Sequence, residues 1–219
     1  MGIVSKSSVG SSALIIALTA PLPAFAVDAV GEIAAFAGSG TIDRGGQVIP
    51  FSQGAEIAAD DLLATGPDGK VQVRFTDETE LTLGPNADIL IDEFVFANTD
   101  NDGAVFNLIS GPARFVTGRL ERARGKGIDV TTPVASIGIR GTDFFTEYSG
   151  DKLAVALFSG YKVDVTNTAG TTTLHPGEGT DTFGAGGPTP ALSWQPDRIN
   201  RALDLVTVLP DGRRPLPYL

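Results

Sequence analysis

Short segments in which apolar and polar residues alternate fill residues 30–183 of this chain. Val71, Val73 and Phe75 alternate with polar neighbours, and Leu81 and Leu83 continue the same pattern. A period of two is typical of a β-strand with one buried face. The segments are separated by turn residues, and the 27 glycines are spread along the chain rather than gathered in one tract. The pattern predicts an all-β fold of about a dozen strands, each about five residues long.

Several arrangements of these strands remain open at this point. Many short antiparallel strands fit a β-roll, a sandwich or a short solenoid. The sequence shows no fixed repeat that would single out the solenoid. Strands and helices do not alternate, which argues against a doubly wound parallel sheet.

The first 26 residues have the pattern of a secretory signal peptide. Lys6 gives a weakly positive start, residues 13–18 form an apolar centre, and Ala24-Phe25-Ala26 fits a cleavage site. The apolar run is too short to span a bilayer, and no second hydrophobic stretch could cross one. We therefore expect cleavage after Ala26 and a soluble periplasmic or secreted product with no membrane span.

The last part of the chain has a different composition. Residues 184–190 read as a linker rich in glycine and proline, and Pro196 suits the first turn of a helix over 196–209. Ile199, Leu203 and Val206 would form one apolar stripe, which we expect to dock on the chain's own sheet. The predicted division is a signal peptide at 1–26, a β domain at 27–183, and a linker with the C-terminal helix at 184–219.

Charge and cysteine content exclude some classes of function. The 26 acidic residues outnumber the 16 lysines and arginines, giving a formal charge of −10. Such a chain is an improbable partner for nucleic acid. There is no cysteine, so disulfides and thiolate metal sites are excluded.

The most specific motif lies at residues 132–144. Pro133 suits the start of a strand, because proline cannot donate to a ladder. Gly141 can take an unusual backbone angle or form a bulge. Alternation places three apolar residues on one face, namely Ala135, Ile137 and Ile139. The segment resembles the T-P-x-A-x-x-x-x-R-G-T-x-F signature of the FecR domain family.

Further blocks similar to FecR motifs follow in the family's order, at residues 54–86, 108–115, 155–163 and 174–178. In the first block this chain has Asp77-Glu78-Thr79 where the family commonly has Asp-Gly-Ser, which predicts a different turn. The resemblance implies an extracytoplasmic β domain. The family's iron sensor reaches a sigma factor through a cytoplasmic segment and a membrane helix. Here a predicted signal peptide stands in their place, so only the extracytoplasmic domain carries over.

Arg140, Gly141 and Thr142 of the FecR signature have two interpretations. Arg140 could anchor an anion. Alternatively the three residues are structural: Gly141 permits a bend, Thr142 bonds to backbone, and Arg140 pairs with Asp143 or Glu147. We favour the structural interpretation, because an arginine within a strand commonly stabilises the fold through forked ion pairs.

A second candidate is a basic run that holds 5 of the 16 cations: Arg114, Arg119, Arg122, Arg124 and Lys126. It could meet an acidic partner such as an anionic envelope polymer. The favoured interpretation is a solvated hairpin loop balanced by surrounding carboxylates.

Signals for metal binding and catalysis are weak. Asp100-Asn101-Asp102-Gly103 has the oxygen-rich look of a calcium loop but lacks the full ligand spacing, and a hairpin tip explains it. His175 is the only histidine, and no G-x-S-x-G elbow accompanies it. We expect no catalytic site, no metal and no cofactor.

These features together predict a non-catalytic recognition domain of the bacterial envelope that binds an envelope protein or polysaccharide. Exposed loops or a sheet edge would make the contact. The alternative is a structural component of a surface or secretion assembly. The oligomeric state is left open.

Overall fold

The computed structural model describes Gly2 and residues 28–97, 99–122 and 126–208, with the backbone alone at 121, 122 and 140. Apart from Gly2, the predicted signal peptide lies outside these residues. In chain order the strands are β1 (Ala29–Ala37), β2 (Gly40–Arg44), β3 (Gln47–Pro50), β4 (Glu56–Ala58), β5 (Leu62–Thr65), β6 (Lys70–Phe75), β7 (Glu80–Leu83), β8 (Asp88–Val95), β9 (Gly103–Val116), β10 (Gly127–Thr131), β11 (Ser136–Ser149), β12 (Lys152–Asn167), β13 (Gly170–Leu174), β14 (Glu178–Phe183) and β15 (Leu192–Ser193). A 3-10 turn (Arg119–Arg122) precedes β10, and helix α1 (Pro196–Leu205) follows β15.

The strands form two layers. Layer 1 runs β4-β1-β6-β7, continues through the second half of β9, the second half of β11 and the first half of β12, and ends with β14-β15. Layer 2 runs β3-β2-β5-β8, continues through the first half of β9, then β10, the first half of β11 and the second half of β12, and ends with β13. Three long strands therefore belong to both layers.

Aromatic contacts show that the layers face each other. Phe106 and Phe115 lie on the same strand, and a straight strand would hold them about 30 Å apart. Their ring centroids are instead 5.2 Å apart, so β9 folds back on itself between them. Phe75 of layer 1 also stacks on Phe94 of layer 2, with centroids 4.9 Å apart. The architecture is thus a sandwich, which decides among the three arrangements left open by the sequence.

The core between the layers contains the inward residues that alternation predicts. Val71, Val73 and Leu81 of layer 1 and Ile137 of layer 2 are fully buried, and Ile139 is 5% exposed. Burying a side chain of this size stabilises the fold by about 1.5–3 kcal/mol. The all-β prediction is confirmed, and so is the inward face of the FecR signature.

Two details of the predicted strands are wrong. β9 and β12 span 14 and 16 residues, where we expected pairs of short strands separated at Gly111 and Gly160. β11 spans 14 residues and passes through Gly141, where the sequence predicted an unusual backbone angle. β10 pairs with β9 in parallel, whereas only antiparallel pairs were expected. The chain bends at these glycines without ending its hydrogen-bonded ladder, so the turn signal in the sequence marks a corner rather than a strand end.

The corner where β11 and β12 pass between the layers depends on two glycines. Gly141 has φ +62° and Gly160 has φ +116°, values that favour glycine. A Cβ on Gly160 would lie 2.1 Å from the carbonyl oxygen of Gly141. Tyr161, which alternation would place with buried Val163, is 72% exposed because it lies on this corner.

Helix α1 lies on the outer face of layer 1. It ends at Leu205, four residues short of the predicted end at 209, which lies outside the described residues. Ile199 and Val206 of the predicted stripe pack against layer 1 together with Ala202, which the pattern missed, and Leu203 is buried. Lys70 donates to the carbonyls of Asp204 and Thr207 and so caps the C-terminal end of α1. No helix in the described part of the chain is long and apolar enough to cross a membrane.

Candidate recognition surfaces

The FecR signature contributes a forked ion pair. Arg114 donates from Nε and Nη2 to the two carboxylate oxygens of Asp143, at 2.7 and 2.6 Å. Glu147 accepts a similar fork from Arg201 of α1, at 2.9 and 3.0 Å. These are the two carboxylates proposed as partners of Arg140, whose side chain lies outside the described residues. Asp143 and Glu147 are instead paired with Arg114 and Arg201. These arginines are so distant in the sequence that the pattern could not identify them as partners.

Thr142 sits at the corner with its side chain almost fully buried. Its hydroxyl has no hydrogen-bond partner among the described residues, although we expected a bond to backbone. The backbone N–H of Thr142 donates to the hydroxyl of Thr117 at 2.8 Å, and its carbonyl accepts from the Thr117 N–H at 3.0 Å. Thr117 therefore stabilises this corner through hydrogen bonds to the Thr142 backbone, a role that the sequence pattern did not indicate.

The basic run is divided among different parts of the fold. Arg114 faces outward from layer 1 in the ion pair just described, and Arg119 donates to the carbonyl of Thr76 at 3.0 Å. Arg119 also lies 3.4 Å from Glu78. Lys126 is exposed, whereas Arg124 and the side chain of Arg122 lie outside the described residues. The three members whose side chains the structure describes thus lie on β9, in the 3-10 turn and just before β10.

The segment that carries the basic run is a crossover, not the predicted hairpin loop, because the strands that it connects are parallel. Asp77 anchors its start: the carboxylate accepts from the backbone N–H groups of Thr79 and Leu120, at 2.9 and 3.1 Å. At its other end the Lys126 N–H donates to the Asp102 carbonyl at 2.8 Å. Both ends of the crossover are thus tied to the sandwich.

The calcium-like tip and the histidine both have structural partners. The buried Asp102 carboxylate accepts from the backbone N–H groups of Ala97 and Thr99, each at 3.0 Å. The backbone N–H of His175 donates to Glu178 at 2.8 Å. Among the described residues, no group of three or more acidic or histidine side chains is placed to hold a metal ion.

A cleft of about 360 Å³ lies between α1 and layer 1. Its lining combines cations, an acid, an indole and small residues: Glu147, Ser149, Lys152, Ala154, Trp194, Arg198 and Arg201. The Arg198 guanidinium stacks 3.7 Å from the centre of the Trp194 ring. The hydrogen bond from Arg201 to Glu147 raises the pKa of that guanidinium above its usual value.

The outer face of layer 2 is covered by no other element among the described residues. The register places apolar and acidic residues in two parallel rows across the strands. One row runs through Val48, Asp43, Leu62, Leu90 and Asn107. The other runs through Glu93, Val105, Asp129, Gly138 and Asp164. Val48 is 63% exposed, and nearby Ile109 is 44% exposed.

A two-layered sandwich with strands shared at glycine corners defines the class of this domain, and comparison with known proteins shows which family part of it matches. Residues 61–161, which extend from just before β5 into β12, match the family described as FecR protein. The predicted resemblance to the FecR family is confirmed over this part of the chain. The motif blocks before residue 61 and after residue 161 lie wholly or partly outside the match.

Two similar solved structures are both described as a putative anti-sigma factor from Parabacteroides distasonis ATCC 8503. One is 20% identical with a TM-score of 0.54, and the other is 18% identical with a TM-score of 0.52. Each alignment covers 65% of this chain and 64% of the other chain, so the chain matches under two thirds of their length. At these identities the similarity shows the fold alone. No curated protein matches the sequence.

Proposed function

We propose that this protein is a non-catalytic, extracytoplasmic recognition domain that binds an envelope protein through the outer face of layer 2. The observation that carries the proposal is the uncovered double row of apolar and acidic side chains across that face. The signal-peptide pattern at residues 1–26 supports a location in the periplasm or outside the cell.

The chemistry of the face favours a protein over an anionic polysaccharide. Glu93 and Asp129 present negative charge, whereas Asp164 is paired with Lys162 at 2.6 Å. Complementary interfaces place positive charge opposite such acids. Leu62, Leu90 and the exposed Ile109 supply apolar area that a protein side chain can cover. The expected partner surface therefore carries lysine or arginine beside apolar residues.

A pair of double variants tests this assignment. Glu93→Lys with Asp129→Lys reverses two charges on the outer face of layer 2. Glu32→Lys with Asp151→Lys makes the same change in net charge on exposed positions of layer 1. Each protein would carry a photo-crosslinking residue at position 109 and be expressed in the envelope. Crosslinked partners would then be identified by mass spectrometry.

We expect one abundant protein adduct that the layer 2 variant loses and the layer 1 variant keeps. Equal loss in both variants would mean that net charge alone governs the association and would refute the assigned face. An adduct with a second copy of this chain, accompanied by sedimenting oligomers, would favour the structural component instead.

A further inference from the structure

The cleft beside α1 differs electrostatically from the rest of this acidic chain. Its charged lining contains three cations, Lys152, Arg198 and Arg201, and one carboxylate, Glu147. Asp181, which accepts from Arg198 at its edge, adds a second carboxylate. The local balance of three cations against two carboxylates is positive, although the whole chain carries −10. A positive site of this kind attracts an anion at short range.

The ion pairs inside the cleft leave one cation weakly satisfied. Arg201 forms a full fork with Glu147, with both nitrogen–oxygen distances near 3 Å. Arg198 and Lys152 share a single oxygen of Asp181, and Lys152 is the more distant of the two at 3.4 Å. The Lys152 side chain is also 43% exposed. An incoming carboxylate can therefore bind Lys152 without breaking either arginine pair.

Neutral groups of the lining suit the remainder of a polar ligand. The Ser149 hydroxyl can donate or accept, and Glu147 oxygens can accept from ligand hydroxyls beside the Arg201 fork. Ala154 and the edge of the buried Trp194 ring provide apolar contact. A volume of about 360 Å³ lies at the small end of ligand sites, which suits one sugar ring.

We propose that this cleft binds one carboxylated sugar unit, such as a hexuronic acid, with its carboxylate on Lys152. The sugar hydroxyls face Glu147 and Ser149. This site lies on layer 1, on the opposite side of the sandwich from the proposed protein-binding face, and it does not depend on that assignment.

The only tryptophan of the chain lines the cleft, so its fluorescence reports this site alone. The full protein would be titrated at constant ionic strength with sodium glucuronate, with methyl glucoside, and with sodium N-acetylalaninate. We expect a saturable change with glucuronate and at least about tenfold weaker binding of the other two, because each lacks either the carboxylate or the hydroxyls.

Two variants locate the binding. Lys152→Gln should weaken glucuronate binding by about tenfold or more, whereas Lys162→Gln on layer 2 should leave it unchanged. Arg201→Gln, which removes a second cation of the lining, provides an independent variant if Lys152→Gln fails to fold. The proposal is overturned by a fluorescence change that does not saturate, by equal affinity for N-acetylalaninate, or by unchanged affinity in the lining variants.

Discussion

The two outer faces of the sandwich differ in the residues that their strands turn outward. Layer 1 turns out Phe145, Ala154 and Ala156, and α1 covers them together with Trp194. Layer 2 turns out acids and hydroxyl residues around a half-buried apolar strip, and no described element covers it. The inward faces of both layers contribute apolar residues to one core. The outward residues therefore show which face the chain covers with its own helix.

The largest expected effect is at the corner where β11 and β12 pass from one layer to the other. Gly160→Ala should destabilise the domain by about 3 kcal/mol or more, because its φ disfavours a side chain and the added Cβ would meet the Gly141 carbonyl at 2.1 Å. Gly150→Ala is the matched control, with φ +65° but open space around it, and should cost about 1–2 kcal/mol. Urea unfolding would measure both. Equal losses of stability in the two variants would show that the contact between the added Cβ and the Gly141 carbonyl does not destabilise the domain.

The difference between the covered and uncovered outer faces can be tested by truncating one outward side chain on each. Phe145→Ala should cost about 3–4 kcal/mol, because the ring is fully buried beneath α1. Leu90→Ala on layer 2 should cost about 1 kcal/mol or less, since that side chain is only half-buried. Thermal unfolding of the two variants gives the difference. Similar losses in both would mean that layer 2 is also covered in solution.

A smaller effect separates the two threonines at the corner. Thr117→Val removes the hydroxyl that accepts from the Thr142 N–H and should cost about 1–2 kcal/mol. Thr142→Val removes a buried hydroxyl without a partner among the described residues and should be neutral or slightly stabilising. Chemical denaturation of both proteins checks this order. A larger loss of stability in Thr142→Val than in Thr117→Val would show that the Thr142 hydroxyl stabilises the corner instead.

The smallest expected effect is a pH dependence of stability that comes from Asp129 on the outer face of layer 2. Although Asp129 as a residue is exposed, burial of its carboxyl within the row raises its pKa above the usual 3.8. Its contribution to stability is therefore complete below the pKa of the unfolded chain and is lost as the pH rises through the folded pKa. The stability of Asp129→Asn relative to the original protein should thus increase from about pH 3 to about pH 7. A difference independent of pH would contradict the burial of this carboxyl.

Local patterns predicted the parts of the fold that depend on neighbouring residues. Alternation identified the inward faces of Val71 and Ile137, and the helical period found the stripe on α1. It failed at Tyr161, because a corner resets which side of the strand is inside. The turn at Glu78, where the FecR motif commonly has glycine, has an unusual backbone. Its backbone keeps a positive φ of +71°, as glycine would, and the Asp77 carboxylate holds the turn.

The candidate site was harder to predict, because its contacts join residues distant in the sequence. Arg114 was identified as one member of a basic run, yet its partner Asp143 lies 29 positions away. Arg201 reaches Glu147 across 54 positions. Many acids and bases in this chain could have formed such pairs, and only the strand register and the docking of α1 select among them. The acidic row on layer 2 likewise exists only once five strands are aligned.

The three strands shared by both layers have a mechanical consequence. In a sandwich held by side-chain contacts alone, lateral load can slide one sheet over the other. Here such sliding would have to straighten continuous backbone at the corners of β9, β11 and β12. Tension applied to one layer is therefore carried to the other by covalent bonds.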